Sequence, residues 1–171
     1  MRVAITIRQA EPREVPWLAE IERRAAVLFE PWRDRLALDD GEPTPLEELR
    51  EAQARGQLFV AESDQEKVVG WYRLGVIDGH GHLYEIDVLP ELGGRGIGRR
   101  LVEHSLEVAR QRGHRTVTLT TFRDVPWNRP FYERLGFVLT TADGPEMKAI
   151  LAEEASWGFD PTQRCVMERI L

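Results

Sequence analysis

Four glycines fall within six residues, Gly93-Gly94-Arg95-Gly96-Ile97-Gly98, between a proline-closed apolar run and a long amphipathic segment. Without Cβ atoms, such a backbone lets a ligand approach closely. The first N–H groups of a helix have no internal partners. With the helix dipole, they suit an anion such as a pyrophosphate. Arg95, Arg99 and Arg100 add positive charge. A P-loop would need Lys followed by Ser or Thr at the helix start, and neither stands here. A dinucleotide fingerprint Gly-x-Gly-x-x-Gly fails too, because Arg99 occupies the third glycine's place.

These residues need a strand before them and a helix after them, and the flanking patterns supply both. His82–Val88 reads as a strand, and Pro90 closes it because it has no N–H for a ladder. From Gly96 to Arg112 the period turns helical. Ile97, Leu101 and Val108, with Val102, Leu106 and Ala109, form one broad apolar face, and Gly113 ends the helix.

Upstream, Val3–Arg8 alternates as a strand, and Leu18, Ile21, Ala25 and Leu28 recur at helical spacing from Pro16 to Phe29. Glu30–Pro45 is rich in Asp, Pro and Gly and reads as an irregular loop. A second helix covers Leu46–Arg55, ended by Gly56. Leu58–Glu62 and Lys67–Ile77 read as strands joined by the polar turn Ser63–Glu66. A turn around Gly79–Gly81 leads into the strand at His82, and the short connections make these three antiparallel. Downstream come a strand at Arg115–Phe122, a helix at Asn128–Leu135 and a strand at Phe137–Thr141. A helix at Pro145–Trp157 and a strand at Arg164–Ile170 complete the order. Antiparallel and crossover connections together give an α+β class with a mixed central sheet of seven strands flanked by helices. The 171 residues suit a single domain, residues 1–171.

Two stretches carry a resemblance. Val88-Leu-Pro-Glu with Gly94-Arg95-Gly96-Ile97-Gly98 resembles the acyl-CoA signature of the GNAT N-acetyltransferase superfamily. Asn128-Arg-Pro-Phe-Tyr132-Glu-Arg-Leu-Gly136-Phe137 is similar to that superfamily's later helix-and-strand motif, and the element order matches over nearly the whole chain. The resemblance implies the GNAT acyl-CoA N-acyltransferase fold, acetyl-CoA as cosubstrate and an amine acceptor. It implies that backbone groups around Ile86, Asp87 and Val88 pair with the pantetheine arm. It further implies that N–H groups from Gly94 through Arg95, Gly96, Ile97 and Gly98 to Arg99 hold the pyrophosphate, and that Tyr132 stands near the sulfur. Gly93 departs from the motif, which expects Gln or Arg there, so one side-chain contact is missing. The family's asparagine, seven residues before the tyrosine, is replaced by Val125; Asn128, four before Tyr132, shares that helical face and is placed in the cofactor site.

Acyl transfer from a thioester to an amine needs a neutral amine, a stabilised oxyanion and a proton for the thiolate. An alkylammonium has a pKa near ~10, so a base must take its proton. Tyr132 is the expected general acid, and a backbone N–H near Val88 the expected oxyanion donor. Two residues are candidates for the base. Glu85 places a charge mid-strand just before the glycines. His82 has a suitable intrinsic pKa, and the resemblance aligns it with a position that carries a base in some members. Strand alternation puts His82 and Tyr84 on one face and Glu85 and Asp87 on the other. His80, His104 and His114 read as surface residues, and no cluster has metal-ligand spacing, so no metal is expected.

The resemblance places the acceptor pocket at roughly Phe29–Leu49, Trp71, Tyr84 and the segment after Thr140. Glu30, Asp34, Asp39, Asp40, Glu42 and Trp32 give the loop an acidic, aromatic rim that suits a cationic amine. The last helix, with Met147, Ile150, Leu151 and Trp157 facing inward, covers that pocket or serves a homodimer interface. The net charge of −6 argues against a general nucleic-acid binder. No apolar run reaches the ~18 residues of a membrane span, and Met1–Ala10 lacks a signal-peptide core, so a cytoplasmic protein is expected. The lone cysteine, Cys165, reads as a buried apolar residue. The rival readings are a non-catalytic acyl-CoA-binding module and a nucleotide-binding α/β protein.

Overall fold

A computed structural model describes residues 4–36, 38, 42–65 and 67–171. Seven strands form one sheet in the order β1-β2-β3-β4-β5-β7-β6. They are β1 (Ile5–Gln9), β2 (Leu58–Ser63), β3 (Val68–Ile77), β4 (His80–Val88), β5 (Thr116–Phe122), β6 (Val138–Thr140) and β7 (Arg164–Ile170). The helices are α1 (Val15–Ala25), α2 (Arg33–Leu36), α3 (Leu46–Ala54), α4 (Ile97–Gln111), α5 (Arg129–Arg134) and α6 (Pro145–Ser156). Where the composition suggests a loop at 30–45, the chain instead makes 3-10 turns at Ala26–Trp32 and the short α2, whose Leu36 is fully buried. Asp39 and Asp40 of the expected acidic rim lie outside the described residues. No helix among the described residues is long and apolar enough to cross a membrane.

The chain packs as two compact units. One holds Met1–Glu30, Gly41–Leu74 and Leu83–Glu107; the other holds Pro31–Asp40, Gly75–His82 and Val108–Leu171. In the first unit β1 pairs with β2 and β2 with β3, all antiparallel. Phe59 of β2 lies opposite Tyr72 of β3, and their rings stack with centroids 5.0 Å apart. The Tyr72 hydroxyl lies 2.8 Å from His104 Nδ1, so α4 covers this face of the sheet. His104 is therefore not a surface residue: it is half-buried, and burial lowers its pKa. Leu101, Val102, Leu106 and Ala109 are the buried face of α4. Each leucine there contributes about 1.5–3 kcal/mol relative to exposure.

Trp71 and Arg73 alternate with Tyr72 and must point to the opposite face of β3. Arg73 accordingly reaches Glu48 of α3 at 2.5 Å and lies 4.3 Å from the Tyr84 ring centre. Helices α1 and α3 pack against one another on this side, and Trp17 Nε1 ties α1 to the Val68 carbonyl at 2.9 Å.

In the second unit β5 pairs antiparallel with β7, and β7 with β6. The start of β4 pairs with β5 in parallel, which the α4 crossover permits. A two-residue turn, Asp78-Gly79, joins β3 to β4 with φ of 49° and 79°, the left-handed pair of a type I′ hairpin. That tight turn lets β4 begin at His80 rather than His82. The Asp78 carboxylate then accepts the Glu146 and Met147 N–H groups at 3.0 and 2.9 Å, capping α6 from a distant part of the chain. Met147 packs with Ile77 and Val166, and Ile150 and Leu151 join them. Trp157, expected to face inward, is 55% exposed although its N–H still bonds the Glu153 carbonyl at the end of α6. Cys165 is buried, and burial pushes its thiol pKa up.

Candidate active site

The glycine turn lies in the first unit. Leu92 and Gly93 spend their N–H groups on Leu89 and Pro90 carbonyls in a 3-10 turn, and the Arg100 N–H closes the first turn of α4 on Gly96. Between them, the N–H groups of Gly94 to Arg99 find no acceptor among the described residues. Gly94 and Gly96 have φ of 73° and 80° and flank Arg95. Such alternation turns successive N–H groups into a concave anion nest. A Cβ built on either glycine meets no atom within 4 Å, so the space above the turn is open.

The three arginines differ. Arg99 pairs with Glu103 at 2.7 Å and Arg100 donates to the Ile5 carbonyl at 2.6 Å, which ties α4 to β1. Arg95 lines a cleft of about 540 Å³ together with Trp17, Lys67, Leu89 and Glu91.

Strand β4 runs into this turn, and Glu85, Ile86, Asp87 and Val88 are half-buried along it. Its first residues pair with β5 at Gly81–Val117 and His82–Thr118. Gly70 is the close neighbour of its last residues: a Cβ there would sit 2.8 Å from the Asp87 carbonyl and 3.2 Å from Val88 Cγ2.

Asp87 shows a role for its side chain that local pattern did not reveal. Its carboxyl lies in the field of Glu22, on α1. Glu22 Oε1 accepts the Thr44 N–H and hydroxyl, both at 3.0 Å. Glu22 Oε2 and Asp87 Oδ2 are buried without a hydrogen-bond partner. Burial, and then the charge of Glu22, hold the Asp87 pKa well above the ordinary carboxylate range. Burial also raises Glu22, against the pull of Thr44 and with a push from Glu48. Tyr84 lies under the Arg73 guanidinium, whose carbon is 4.3 Å from the ring centre, while Asp87 feels the charge of Glu22.

The other sequence-derived residues belong to the second unit. His82 is a buried strand residue, with Nδ1 2.8 Å from Thr118 Oγ1. Tyr132 lies in α5, 8% exposed, its ring edge-on to Phe131 and Phe137 at 5.1 and 5.7 Å. Asn128 precedes α5; its Oδ1 accepts the Thr121 hydroxyl at 2.7 Å and the Phe122 N–H at 3.3 Å. That carbonyl therefore joins β5 to α5. Val125, where the family's asparagine would stand, is fully buried.

In the same unit a smaller cleft of about 220 Å³ is lined by Glu154, Arg164 and Cys165. Its charges are satisfied: Arg164 grips Glu154 at 2.7 and 3.0 Å, and the Thr120 hydroxyl donates to the same carboxylate at 2.6 Å. This is a structural network rather than a reactive one.

A family model described as the acetyltransferase (GNAT) family matches residues 16–137. In sequence, the chain is 37% identical over 87 residues to the 5-NmdU N-acetyltransferase of Pseudomonas phage PaMx11, covering 50% of this chain and 59% of the phage enzyme. The chain thus spans less than two thirds of that relative. Among solved structures, the PaiA N-acetyltransferase from Thermoplasma acidophilum in complex with coenzyme A superposes with a TM-score of 0.71 at 18% identity, covering 98% of this chain and 99% of the other. The ribosomal-protein-S18-alanine N-acetyltransferase from Escherichia coli gives 0.68 at 21% identity, over 98% and 94% of the two chains. At those identities the two structures speak to the fold.

Proposed function

The chain belongs to the acetyltransferase (GNAT) family, and from that membership we propose that it transfers an acetyl group from acetyl-CoA to a primary amine of a small molecule or peptide by direct attack. The observation that carries this reading is the run of unengaged N–H groups from Gly94 to Arg99 over open space at the start of α4. A diphosphate suits that nest, because the amides and the helix dipole both favour negative charge. The coenzyme A complex of the Thermoplasma relative supports the choice of ligand.

The backbone of Ile86, Asp87 and Val88 would pair with the pantetheine arm as an added strand. An N–H near Val88 would meet the oxyanion. Tyr132, in α5 after the Asn128 cap, would give its proton to the leaving thiolate. Glu85 and His82 are the bases read from sequence. His82 holds its Nδ1 2.8 Å from Thr118 Oγ1.

The test is thiol release. The protein is incubated with acetyl-CoA and a panel of primary amines, and free CoA is titrated while acetylated amine is followed by mass. Matching appearance of both products is expected. Tight acetyl-CoA binding with no thiol released across the panel would instead favour a non-catalytic acyl-CoA-binding module.

A further inference from the structure

Helix α6 carries a buried glutamate, Glu154, and Arg164 of β7 answers it. Arg164 meets the carboxylate with Nε and Nη2 at 3.0 and 2.7 Å, and Thr120 bonds to both partners. The same guanidinium lies 4.5 Å from the Phe122 ring centre and 5.4 Å from that of Phe159. The two side chains are only 11% and 8% exposed, and their charges cancel. They make a rigid wall for the cleft of about 220 Å³ in the second unit.

Arg123 lines the same cleft and has no such partner. It follows the last residue of β5 and is half-buried. Among the described residues no carboxylate pairs with it, and its side chain donates only from Nη2, to the Arg164 carbonyl at 3.2 Å. Nε and Nη1 of Arg123, and Nη1 of Arg164, are therefore donors without an acceptor there. Burial raises the Cys165 pKa, and Arg123 leads the charges that oppose it, so its cation acts on the cleft wall. Two guanidiniums and one carboxylate leave the cleft one net positive charge. The rest of its lining is largely apolar, with Leu151, Phe159 and Val166. A volume below the ~300 Å³ of drug-sized pockets suits a group about as large as one amino acid.

The cleft also has a fixed relation to α5. Phe122 ends β5 beside Arg123 and donates its N–H to Asn128 Oδ1 at 3.3 Å, immediately before the helix that carries Tyr132. One strand end thus serves both the unpaired arginine and the expected acid.

We propose that this cleft receives the carboxylate of the acceptor, held by Arg123 and Nη1 of Arg164, so that the amine acetylated belongs to an amino acid with an apolar side chain. This rests on the acetyl-transfer reading above. A guanidinium edge matches a carboxylate with parallel, charge-assisted N–H bonds. The apolar lining takes the side chain out of water. The amine stays outside the cleft, on the side of Tyr132, and the carboxylate takes no part in the bond changes. An acidic rim, as the sequence places at residues 30–42, agrees with this acceptor. Once Arg123 neutralises the carboxylate, the ammonium is the charge that the rim meets.

The test compares alanine, valine, leucine, methionine and phenylalanine with the amines left when each loses its carboxylate. Full-length protein and the Arg123→Met and Arg123→Lys variants are assayed with acetyl-CoA, and the ratio of kcat/KM for acid to that for its amine is compared between proteins. The intrinsic reactivities of the two amines cancel in that comparison. Wild type should favour at least one acid by about tenfold or more. Arg123→Met should lower that ratio at least tenfold, through KM of the acid. Arg123→Lys should keep part of it, because an ammonium retains the charge and loses the fork. A ratio unchanged by Arg123→Met would give the arginine a merely structural role and overturn the proposal. Should that variant fail to fold, Arg123→Lys decides, and a ratio equal to wild type overturns it. Wild-type protein that binds acetyl-CoA but favours none of the acids, or acetylates none, overturns it and leaves the thioester site intact. Absence of acetyl-CoA binding would instead bring down the broader reading.

Discussion

The carboxylate of Asp78 occupies the space that a Cβ on Gly144 would need. Asp78 cannot easily give way, because its two oxygens hold the Glu146 and Met147 N–H groups at the start of α6. Its own N–H is bonded in return to the Glu146 carboxylate. Gly144→Ala should therefore cost about 1–3 kcal/mol, the loss of a helix cap plus a clash. Urea denaturation checks this. An unchanged midpoint would mean that the Asp78–Glu146 interlock contributes nothing.

Gly94 and Gly96 allow backbone strain to be separated from ligand contact. Alanine at Gly96 adds a Cβ in the left-handed region, at about 1–2 kcal/mol, and that Cβ meets no protein atom. Gly113, past the far end of α4, has the same features, with φ of 83° and open space. Both substitutions should lower the melting point by similar amounts. Only Gly96→Ala should weaken acetyl-CoA binding, by tenfold or more in calorimetry. Equal acetyl-CoA affinities for the two would remove the diphosphate from this turn.

Tyr132→Phe keeps the ring that packs on Phe131 and Phe137 and removes only the hydroxyl. We expect kcat for the best amine to fall between about tenfold and a hundredfold, within the usual range for one proton-transfer group. Acetyl-CoA affinity should stay within twofold. Turnover equal to wild type would assign the thiolate's proton to another donor.

Local pattern revealed the scaffold of the site far better than its charges. The apolar face of α4, with Leu101, Val102, Leu106 and Ala109, is a 3.6-residue repeat that any reader of the chain can count. The glycines carry their own signal, because only glycine takes φ near +75° cheaply. The Glu22–Asp87 pair has no such signature. A glutamate on a helix usually marks the wet side, and nothing near residue 22 announces that β4 will cross beneath it. His104 hid for a similar reason: it lies at the edge of the apolar stripe, where only the arrival of Tyr72 turns a surface position into a half-buried one. Trp157 misled the other way: it continues the α6 pattern, its N–H still bonded to Glu153, yet its ring stays exposed and meets Phe159 edge-on.

Arg8 joins β1 to its neighbours through charge, and this makes stability depend on pH. Its guanidinium donates to Glu14 at 2.7 and 3.0 Å and to Glu62 at 2.5 Å. The Arg8 bond, more than the Glu11 N–H or nearby charge, holds the Glu14 pKa below its ordinary value of 4.5. A carboxyl whose pKa is lower folded than unfolded binds fewer protons in the native state. It therefore stabilises the fold above the unfolded value and loses that contribution as pH falls through the folded one. Because the pair is partly exposed, solvent screening limits it to about 1 kcal/mol. Arg8→Met should thus be less stable than wild type by roughly that amount at pH 7. In urea titrations repeated down to pH 3 the gap should close as Glu14 is protonated in both proteins. A gap that stays constant with pH would show that the arginine acts through packing of its stem rather than through its charge.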